Sequence, residues 1–354
     1  MREFKRHFRI HFWVALITTA IFLIIRFGIL YSYNTVPFEM IHISIIDALW
    51  LYPFLTVVIS FLTALIHSLS DIFIISKIIN RRSFLSLLFT ALFVNIVILV
   101  GLLFVMNSLI QLILEKFSDQ MSVNTNMREL WVSAFFIVVS ITLARMVIEI
   151  DRKLGPGNLW KFMTGRFYHP REEERIFMFI DLQGSTTIAE KIGHFKFSEL
   201  LRDCFNDLSI VDKFHAEIYQ YVGDEVVISW PVNKAKNYEQ FLSAFFAFQD
   251  KLAGKKEHYM STYGLQPVFK AGVHAGPAVV TEVGEIKREL TYHGDTLNTA
   301  ARIQSMCNEL SALLLVSESL YEIVKPYSPH EFKDAGSIAL RGKKEEVRLF
   351  KVNK

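Results

Sequence analysis

Two aspartates, Asp181 and Asp224, lie 43 residues apart, the first after an apolar segment and the second between two such segments. Asp181 directly follows the apolar run 176–180, and Asp224 lies in the turn between two β-rich runs, 217–222 and 226–230. Gly and Asp at such a turn indicate a hairpin. If that hairpin lies beside the first strand, both carboxylates point to one place. There they could bind one or two Mg²⁺ ions together with nucleotide phosphates.

A short turn after Asp181, Gly184-Ser185-Thr186, opens a helical pattern. The backbone amides of Gly184, Ser185 and Thr186 at a helix N-terminus can cradle a polyphosphate. A plainer interpretation is that Asp181 caps the helix and Asp224 is an ordinary turn residue. Taken singly, each aspartate favours that interpretation.

A second constellation lies in the segment 293–302, where Asn298 and Arg302 are four residues apart and therefore on one helix face. An amide beside a guanidinium suits a ribose and a phosphoryl group that gains charge in a transition state. The alternative is that Asp295 caps the helix and Arg302 is a surface charge.

The elements that must position these residues form an α+β pattern over residues 176–354. Helical segments, about 186–214, about 237–260 and one from about Thr296, separate the strands. The remaining strands are predicted near 268–274, 278–283 and 313–316, with a closing hairpin around 341–343. This order predicts helices that cover a largely antiparallel sheet.

Four motifs in this order resemble those of the class III nucleotidyl cyclases, over roughly residues 174–353. They are Phe179-Ile180-Asp181-Leu182-Gln183-Gly184-Ser185-Thr186, Tyr221-Val222-Gly223-Asp224, Gly272-Val273-His274-Ala275-Gly276 and Gly294-Asp295-Thr296-Leu297-Asn298-Thr299-Ala300-Ala301-Arg302. The resemblance, to a membrane-anchored enzyme of bacterial type, implies an α+β ferredoxin-like catalytic domain. It does not cover the first half of the chain.

The resemblance implies a role for each matching residue. Asp181 and Asp224 would bind two Mg²⁺ or Mn²⁺ ions, with the backbone carbonyl of Leu182 as a further ligand. Asn298 would orient the ribose, and Arg302 would stabilise the α-phosphoryl transition state. A basic residue of the segment 340–343, either Arg341 or Lys343, would meet the terminal phosphates.

The implied reaction is attack of the ribose 3′-hydroxyl on the α-phosphorus, which releases pyrophosphate and leaves a 3′,5′-cyclic nucleotide. One metal ion would activate the hydroxyl and the other would hold the triphosphate. In such enzymes the aspartates come from one domain and the Asn and Arg from another. Because this chain has one such domain, a homodimer with two equivalent sites is implied.

Two positions that read the purine in this family hold Gln220 and Thr291 here, where Lys and Asp are usual. Gln can donate and accept hydrogen bonds, so it could face either purine. The expectation is ATP as substrate and cyclic AMP as product. The alternatives are a guanylyl cyclase, a catalytically silent membrane receptor or scaffold and, more distantly, a diguanylate cyclase. Gly223-Asp224-Glu225 is similar to the turn of that last family, but Val222 stands where its second Gly would be.

The first half of the chain is predicted to be a transmembrane domain, residues 1–150. The whole chain is 52% hydrophobic with a mean hydropathy of +0.31, and four apolar runs fall in that half: 12–31, 45–69, 84–114 and 130–150. About 20 apolar residues cross a bilayer as a helix. Residues 151–175 are then a linker, interrupted by Gly155-Pro156-Gly157, and 176–354 the catalytic domain.

Charge predicts how the spans are oriented. Lys and Arg cluster at the N-terminus, in the second connection and after the fourth run, which places both termini and the catalytic domain on the cytoplasmic side of the plasma membrane. Arg145, near the inner end of the fourth run, is expected to extend to the lipid headgroups, and the runs show no charge cluster typical of an ion or proton path. No basic and aromatic cluster indicates binding to nucleic acid.

Overall fold

The computed structural model describes residues 2–32, 45–75, 127–155, 158–232, 240–339 and 346–354, with short helical pieces between 86 and 97. The chain divides into two compact units, Met1–Leu154 and Gly155–Lys354.

The described part of the first unit has three long helices, α1 (Arg2–Ser32), α2 (Ile45–Ser70) and α3 (Met127–Leu154), with a π-helical turn over Asp71–Ile75 after α2. They coincide with three of the four predicted apolar runs. The remaining run, 84–114, lies largely outside the described residues. Among the helices that the structure describes, none combines the length and the apolar character needed to cross a membrane.

A buried charge cluster links the three helices around Asp71. The Asp71 carboxylate lies 2.6 Å from Arg145 Nη2, 2.9 Å from His11 Nε2 and 3.3 Å from His7 Nδ1. Arg145 is only 4% exposed. The expectation that Arg145 extends outward to the headgroups is therefore wrong. The guanidinium of Arg145 is instead paired with the Asp71 carboxylate inside the unit.

The second unit is built on one mixed sheet of eight strands in the order β2-β3-β1-β4-β6-β8-β7, with β5 paired to β4. The strands are β1 (Arg171–Leu182), β2 (Glu217–Val222), β3 (Glu225–Pro231), β4 (Phe269–Val283), β5 (Glu289–His293), β6 (Leu314–Ser317), β7 (Glu331–Ile338) and β8 (Val347–Asn353). The predicted β2–β3 hairpin lies beside β1, because β3 pairs antiparallel with it, so the condition for bringing the two aspartates together is met. The β4–β6 pair is parallel.

Helices follow the strands that they cover. They are α4 (Asn158–Met163), α5 (Ser185–Ile192), α6 (His194–Asp207), α7 (Gln240–Gly254), α8 (Lys256–Tyr263), α9 (Asp295–Ser305) and α10 (Glu318–Val324). A 3₁₀ segment, Leu208–Phe214, continues α6. The single helix predicted over 186–214 is broken at Gly193, whose φ of 79° an L-residue rarely adopts.

Strand β1 separates two apolar layers, since alternate side chains point to opposite faces. Ile176, Met178 and Ile180 belong to the large core that includes residues of α6 and α7. Phe177 lies in the other cluster, with Ala300 of α9. Asp181 shares the parity of Phe177 and therefore lies on the α9 face of the sheet.

Two strand predictions differ from the structure. The runs near 268–274 and 278–283 form one long strand, β4, because Ala275–Pro277 stay paired with Glu174–Ile176 of β1. Strand β1 begins at Arg171, five residues before the predicted start. Arg175, which the sequence placed at the end of the linker, is buried there, with hydrogen bonds to Glu217 and Ser229.

Candidate active site

The structure brings Asp181 and Asp224 into contact. Asp181 pairs with Glu225 across the β1–β3 ladder, so Asp224 lies one residue away in the hairpin turn. Burial, and then a side-chain hydrogen bond with Asp224, raises the pKa of Asp181, while Lys270 opposes the shift. Two carboxylates held this close repel one another when ionised. A divalent cation bound to both would relieve that repulsion, so the donor set fits Mg²⁺ or Mn²⁺.

Glu225 adds a third acidic group beside this pair. Burial, together with the charges of Asp181 and Asp224, raises its pKa to about 7. Among the described residues, no three His, Cys, Asp or Glu side chains are arranged to hold a metal ion together. The predicted ligand set of two aspartates and the Leu182 carbonyl does not require a third such side chain.

Lys270 and Gln304 hold the Asp181 carboxylate from two further elements. Lys270 Nζ of β4 lies 3.2 Å from Asp181 Oδ2, and Gln304 Nε2 of α9 donates a hydrogen bond of 3.1 Å to the same oxygen. Both side chains are buried. The position of Asp181 is thus fixed by β1, β4 and α9 together.

Helix α9 carries Asn298 and Arg302 on its outer side. Its buried residues are Thr296, Thr299, Ala300, Ile303 and Gln304, whereas Asn298 is exposed and Arg302 half-exposed. Arg302 lies about 200° around the helix from Gln304. Within one chain, the Asn298–Arg302 face therefore points away from the side that contacts Asp181.

Two glycines of the predicted Gly272–Gly276 motif let α9 lie directly on β4. A β-carbon on Gly272 would stand 2.1 Å from Gln304 N, and one on Gly276 would stand 2.8 Å from Thr296 Oγ1. Real β-carbons do not approach that closely, so any larger residue would displace the helix. The motif explains how α9 comes close enough to touch Asp181.

The turn after β1 has the backbone that a tight approach to a ligand needs. Gly184 has φ 69° and ψ 27°, and Ser185 and Thr186 begin α5. Leu182 ends β1 with its side chain buried. The predicted polyphosphate cradle therefore follows Asp181 directly along the chain.

The two predicted purine-reading residues lie on different strands. Gln220 is exposed on β2 and pairs with Val227, and a bulge lies between Ile218 and Gln220. Thr291 is on β5 and pairs with Thr281 of β4. Arg341 and Lys343, predicted to meet the terminal phosphates, lie outside the described residues.

Sequence reasoning missed Glu225, Lys270 and Gln304, although two of them carry a signal. Lys270 interrupts the otherwise apolar run 268–273 of a buried strand. Gln304 follows Ile303 on the inner side of α9, where an apolar residue is expected. A buried polar residue needs a partner, and here both share Asp181.

The second unit matches a known family along nearly its whole length. The sequence model of the adenylate and guanylate cyclase catalytic domain matches residues 167–353, more than half of the chain. The match begins at Phe167, which is 2% exposed and whose carbonyl accepts a hydrogen bond from Glu282 N. The segment before β1 thus packs with the domain.

Individual relatives and structures agree with that match. Adenylate cyclase 2 of Rhizobium meliloti (strain 1021) is 31% identical over 204 residues, which are 57% of this chain and 56% of that protein. A receptor-type guanylate cyclase of Caenorhabditis elegans is 23% identical over 173 residues, 47% of this chain and 15% of that protein. The chain thus spans about half of the first relative and less of the second.

A solved structure has the same fold. The structure of a bacterial light-regulated adenylyl cyclase aligns with a TM-score of 0.53 at 18% identity, over 66% of this chain and 68% of that chain. At that identity the likeness concerns the arrangement of strands and helices alone.

Proposed function

The chain belongs to the adenylate and guanylate cyclase catalytic-domain family, class III, and from that premise we propose that it converts ATP into 3′,5′-cyclic AMP and pyrophosphate. The observation that carries the proposal is the contact between Asp181 and Asp224 at the end of β1. The adenylate cyclase that is 31% identical supports the choice of nucleotide.

Asp181, Asp224 and the carbonyl of Leu182 would hold the metal ions. When bound, two divalent ions would supply acidity to the ribose 3′-hydroxyl and charge neutralisation to the triphosphate. The residues of the chain then orient the reactants: the amides after Gly184 bind phosphate oxygens, and Arg341 or Lys343 binds the terminal phosphates.

Asn298 and Arg302 act in this proposal on the site of a second copy of the chain. They lie on the outer side of α9, while Gln304 on its inner side contacts Asp181 of the same chain. A single copy therefore offers two incomplete half-sites. A two-fold dimer joins each carboxylate pair to the Asn298 amide, which orients the ribose, and to the Arg302 guanidinium, which stabilises the α-phosphoryl charge.

Gln220 and Thr291 would read the purine. Both side chains donate and accept hydrogen bonds, so neither excludes guanine by its chemistry alone. Guanylyl cyclase activity is therefore the second candidate, and the similarity to a receptor-type guanylate cyclase at 23% identity supports keeping it.

We also propose that the first unit anchors the enzyme in the plasma membrane, with both termini and the cyclase domain in the cytoplasm. The support is the four apolar runs of the sequence and the placement of Lys and Arg between them. Retention of the full chain in carbonate-washed membranes would agree with this anchoring, and its release into the wash would contradict it.

Product analysis tests the proposed reaction. The purified full chain is incubated with ATP or GTP and with Mg²⁺ or Mn²⁺, and the nucleotide products are separated. Cyclic AMP from ATP is the expected product. Cyclic GMP from GTP alone would reverse the choice of purine, and linear products or none would contradict the proposal.

A further inference from the structure

The helix that carries Asn298 and Arg302 also contacts the metal-binding carboxylate of its own chain, through Gln304. Gln304 is 6% exposed, and its Nε2 donates a hydrogen bond of 3.1 Å to Asp181 Oδ2. The backbone of Gln304 is pressed onto β4 at Gly272. The close packing of the Gln304 backbone fixes the point from which its side chain reaches Asp181.

We propose that Gln304 is a positioning residue that fixes the Asp181 carboxylate for metal binding, an inference that rests on the proposed cyclase function. An amide has no charge to compete with a cation, so its N–H orients the carboxylate without neutralising it. Lys270 contacts the same oxygen but carries a positive charge that opposes a metal ion. The Gln304 contact therefore favours metal binding at Asp181, whereas the Lys270 contact opposes it.

Hydrogen bonds to metal ligands from outside the ligand set change metal affinity substantially. Loss of such a partner costs about 10- to 100-fold in metal affinity or activity. Removal of the Gln304 amide would leave Asp181 Oδ2 with the charged Lys270 contact but without the neutral hydrogen bond that orients it. We expect the loss of the amide to lower the affinity for the metal ion and to leave recognition of the purine unchanged.

The position of Gln304 has a second consequence in a dimer. Helix α9 contributes Asn298 and Arg302 to one composite site through its outer side and touches Asp181 of the other composite site through Gln304. One helix therefore contacts both sites. A change at Gln304 acts on the site that receives Asp181 from the same chain.

A mixed dimer separates positioning from general packing. The Arg302→Ala chain supplies the intact carboxylates of the live site, and the Asp181→Ala chain supplies its Asn298 and Arg302. Gln304→Met, which keeps the length of the side chain but removes the amide, is placed in one chain or the other. The two full chains are co-expressed with different tags, and the heterodimer is purified through both.

Two quantities are measured: the Mg²⁺ concentration that gives half-maximal activity at saturating nucleotide, and the Mn²⁺ dissociation constant of the heterodimer without turnover, from electron paramagnetic resonance of free Mn²⁺. In the Arg302→Ala chain, Gln304→Met should raise both about tenfold. In the Asp181→Ala chain no carboxylate remains at position 181 to be held, so the shift should be several-fold smaller. The nucleotide KM at saturating Mg²⁺ should change less than the metal requirement in both arrangements.

Equal shifts in the two arrangements would mean that Gln304 only packs α9, and would overturn the inference. So would a Mg²⁺ requirement that Gln304→Met leaves unshifted in the Arg302→Ala chain. If Gln304→Met disturbs folding, which thermal unfolding of each heterodimer would reveal, Gln304→Asn repeats the comparison, because its amide is one methylene too short to reach. An inactive parent pair, despite proven heterodimers, would overturn the proposed shared site and this inference with it.

Discussion

Gly272 and Gln304 touch so closely that no side chain fits between them. A β-carbon on Gly272 would stand 2.1 Å from the backbone nitrogen of Gln304 and 2.8 Å from the carbonyl oxygen of Ala300. This contact packs α9 directly on β4, close to Asp181. The distance between the helix and the sheet thus controls whether Gln304 can reach the carboxylate.

Gly272→Ala should destabilise the second unit, because the added methyl would force α9 away from β4. Overpacking of this kind costs about 1–3 kcal/mol. Urea unfolding of the full chain measures it, and cyclase activity should fall together with stability. The matched control is Gly254→Ala at the exposed end of α7, where nothing lies within 4 Å of a β-carbon and the change should stay within about 1 kcal/mol. Equal behaviour of the two variants would contradict the close contact.

Asp224→Asn should abolish most of the activity while leaving the dimer intact. The proposed metal ions contribute several kcal/mol to the transition state, and each 1.36 kcal/mol is a factor of ten, so we expect a loss of at least about 100-fold. Activity and sedimentation of the full chain are the measurements. Asp250→Asn, an exposed aspartate paired with Lys354, is the control and should retain activity. Full activity of Asp224→Asn would refute the metal assignment.

Ionisation of Glu225 should cost the metal-free protein folding free energy as the pH rises from about 4.5 to about 7. Burial and the charges of Asp181 and Asp224 raise the pKa of Glu225 from 4.5 to about 7. The folded state therefore binds more protons than the unfolded state in this range, and ionisation at higher pH costs folding free energy. Thermal unfolding in EDTA across this range measures the slope.

Two comparisons check the source of that slope. Glu225→Gln should flatten it, because an amide does not ionise in this range. Saturating Mg²⁺ should oppose the loss of stability, because a cation favours the ionised carboxylates. A Glu225→Gln variant whose stability has the same slope as that of the parent chain between pH 4.5 and 7 would contradict the raised pKa of Glu225.

Asp71→Asn should destabilise the first unit. Arg145 is 4% exposed, and the substitution would leave its guanidinium buried without a carboxylate. Breaking a buried pair in this way costs about 3–5 kcal/mol. Thermal unfolding of the detergent-purified chain measures the loss, with Glu3→Gln as a control at an exposed ion pair. If both variants melt like the parent chain, the buried pair contributes nothing to stability.

Local patterns predicted the elements that carry the site. The hairpin turn at Gly223, the strand that ends at Asp181 and the helix of Asn298 and Arg302 all have short-range signals, and the structure has each of them. These signals depend on periodicity and turn chemistry within about ten residues. The sequence could therefore predict which elements exist and which chemical groups they carry.

Contacts between distant elements were not predictable in the same way. Gln304 and Asp181 are 123 residues apart, and their hydrogen bond depends on how closely α9 approaches β4. The pair of Arg145 and Asp71 depends on the packing of separate helices, so Arg145 looked like a residue at the end of an apolar run. The long β4 strand continues through Gly276 and Pro277 because its neighbour β1 supplies the pairing. Tertiary context decided all three.

Complementation between two inactive chains would show whether each active site is shared between two copies of the chain. Asp181→Ala and Arg302→Ala full chains are assayed singly and as purified heterodimers, with ATP and Mg²⁺. We expect each chain alone to be inactive. The heterodimer should form cyclic AMP, because one of its two composite sites is complete. An inactive heterodimer, with both tags present in a folded complex, would contradict a site shared between two copies.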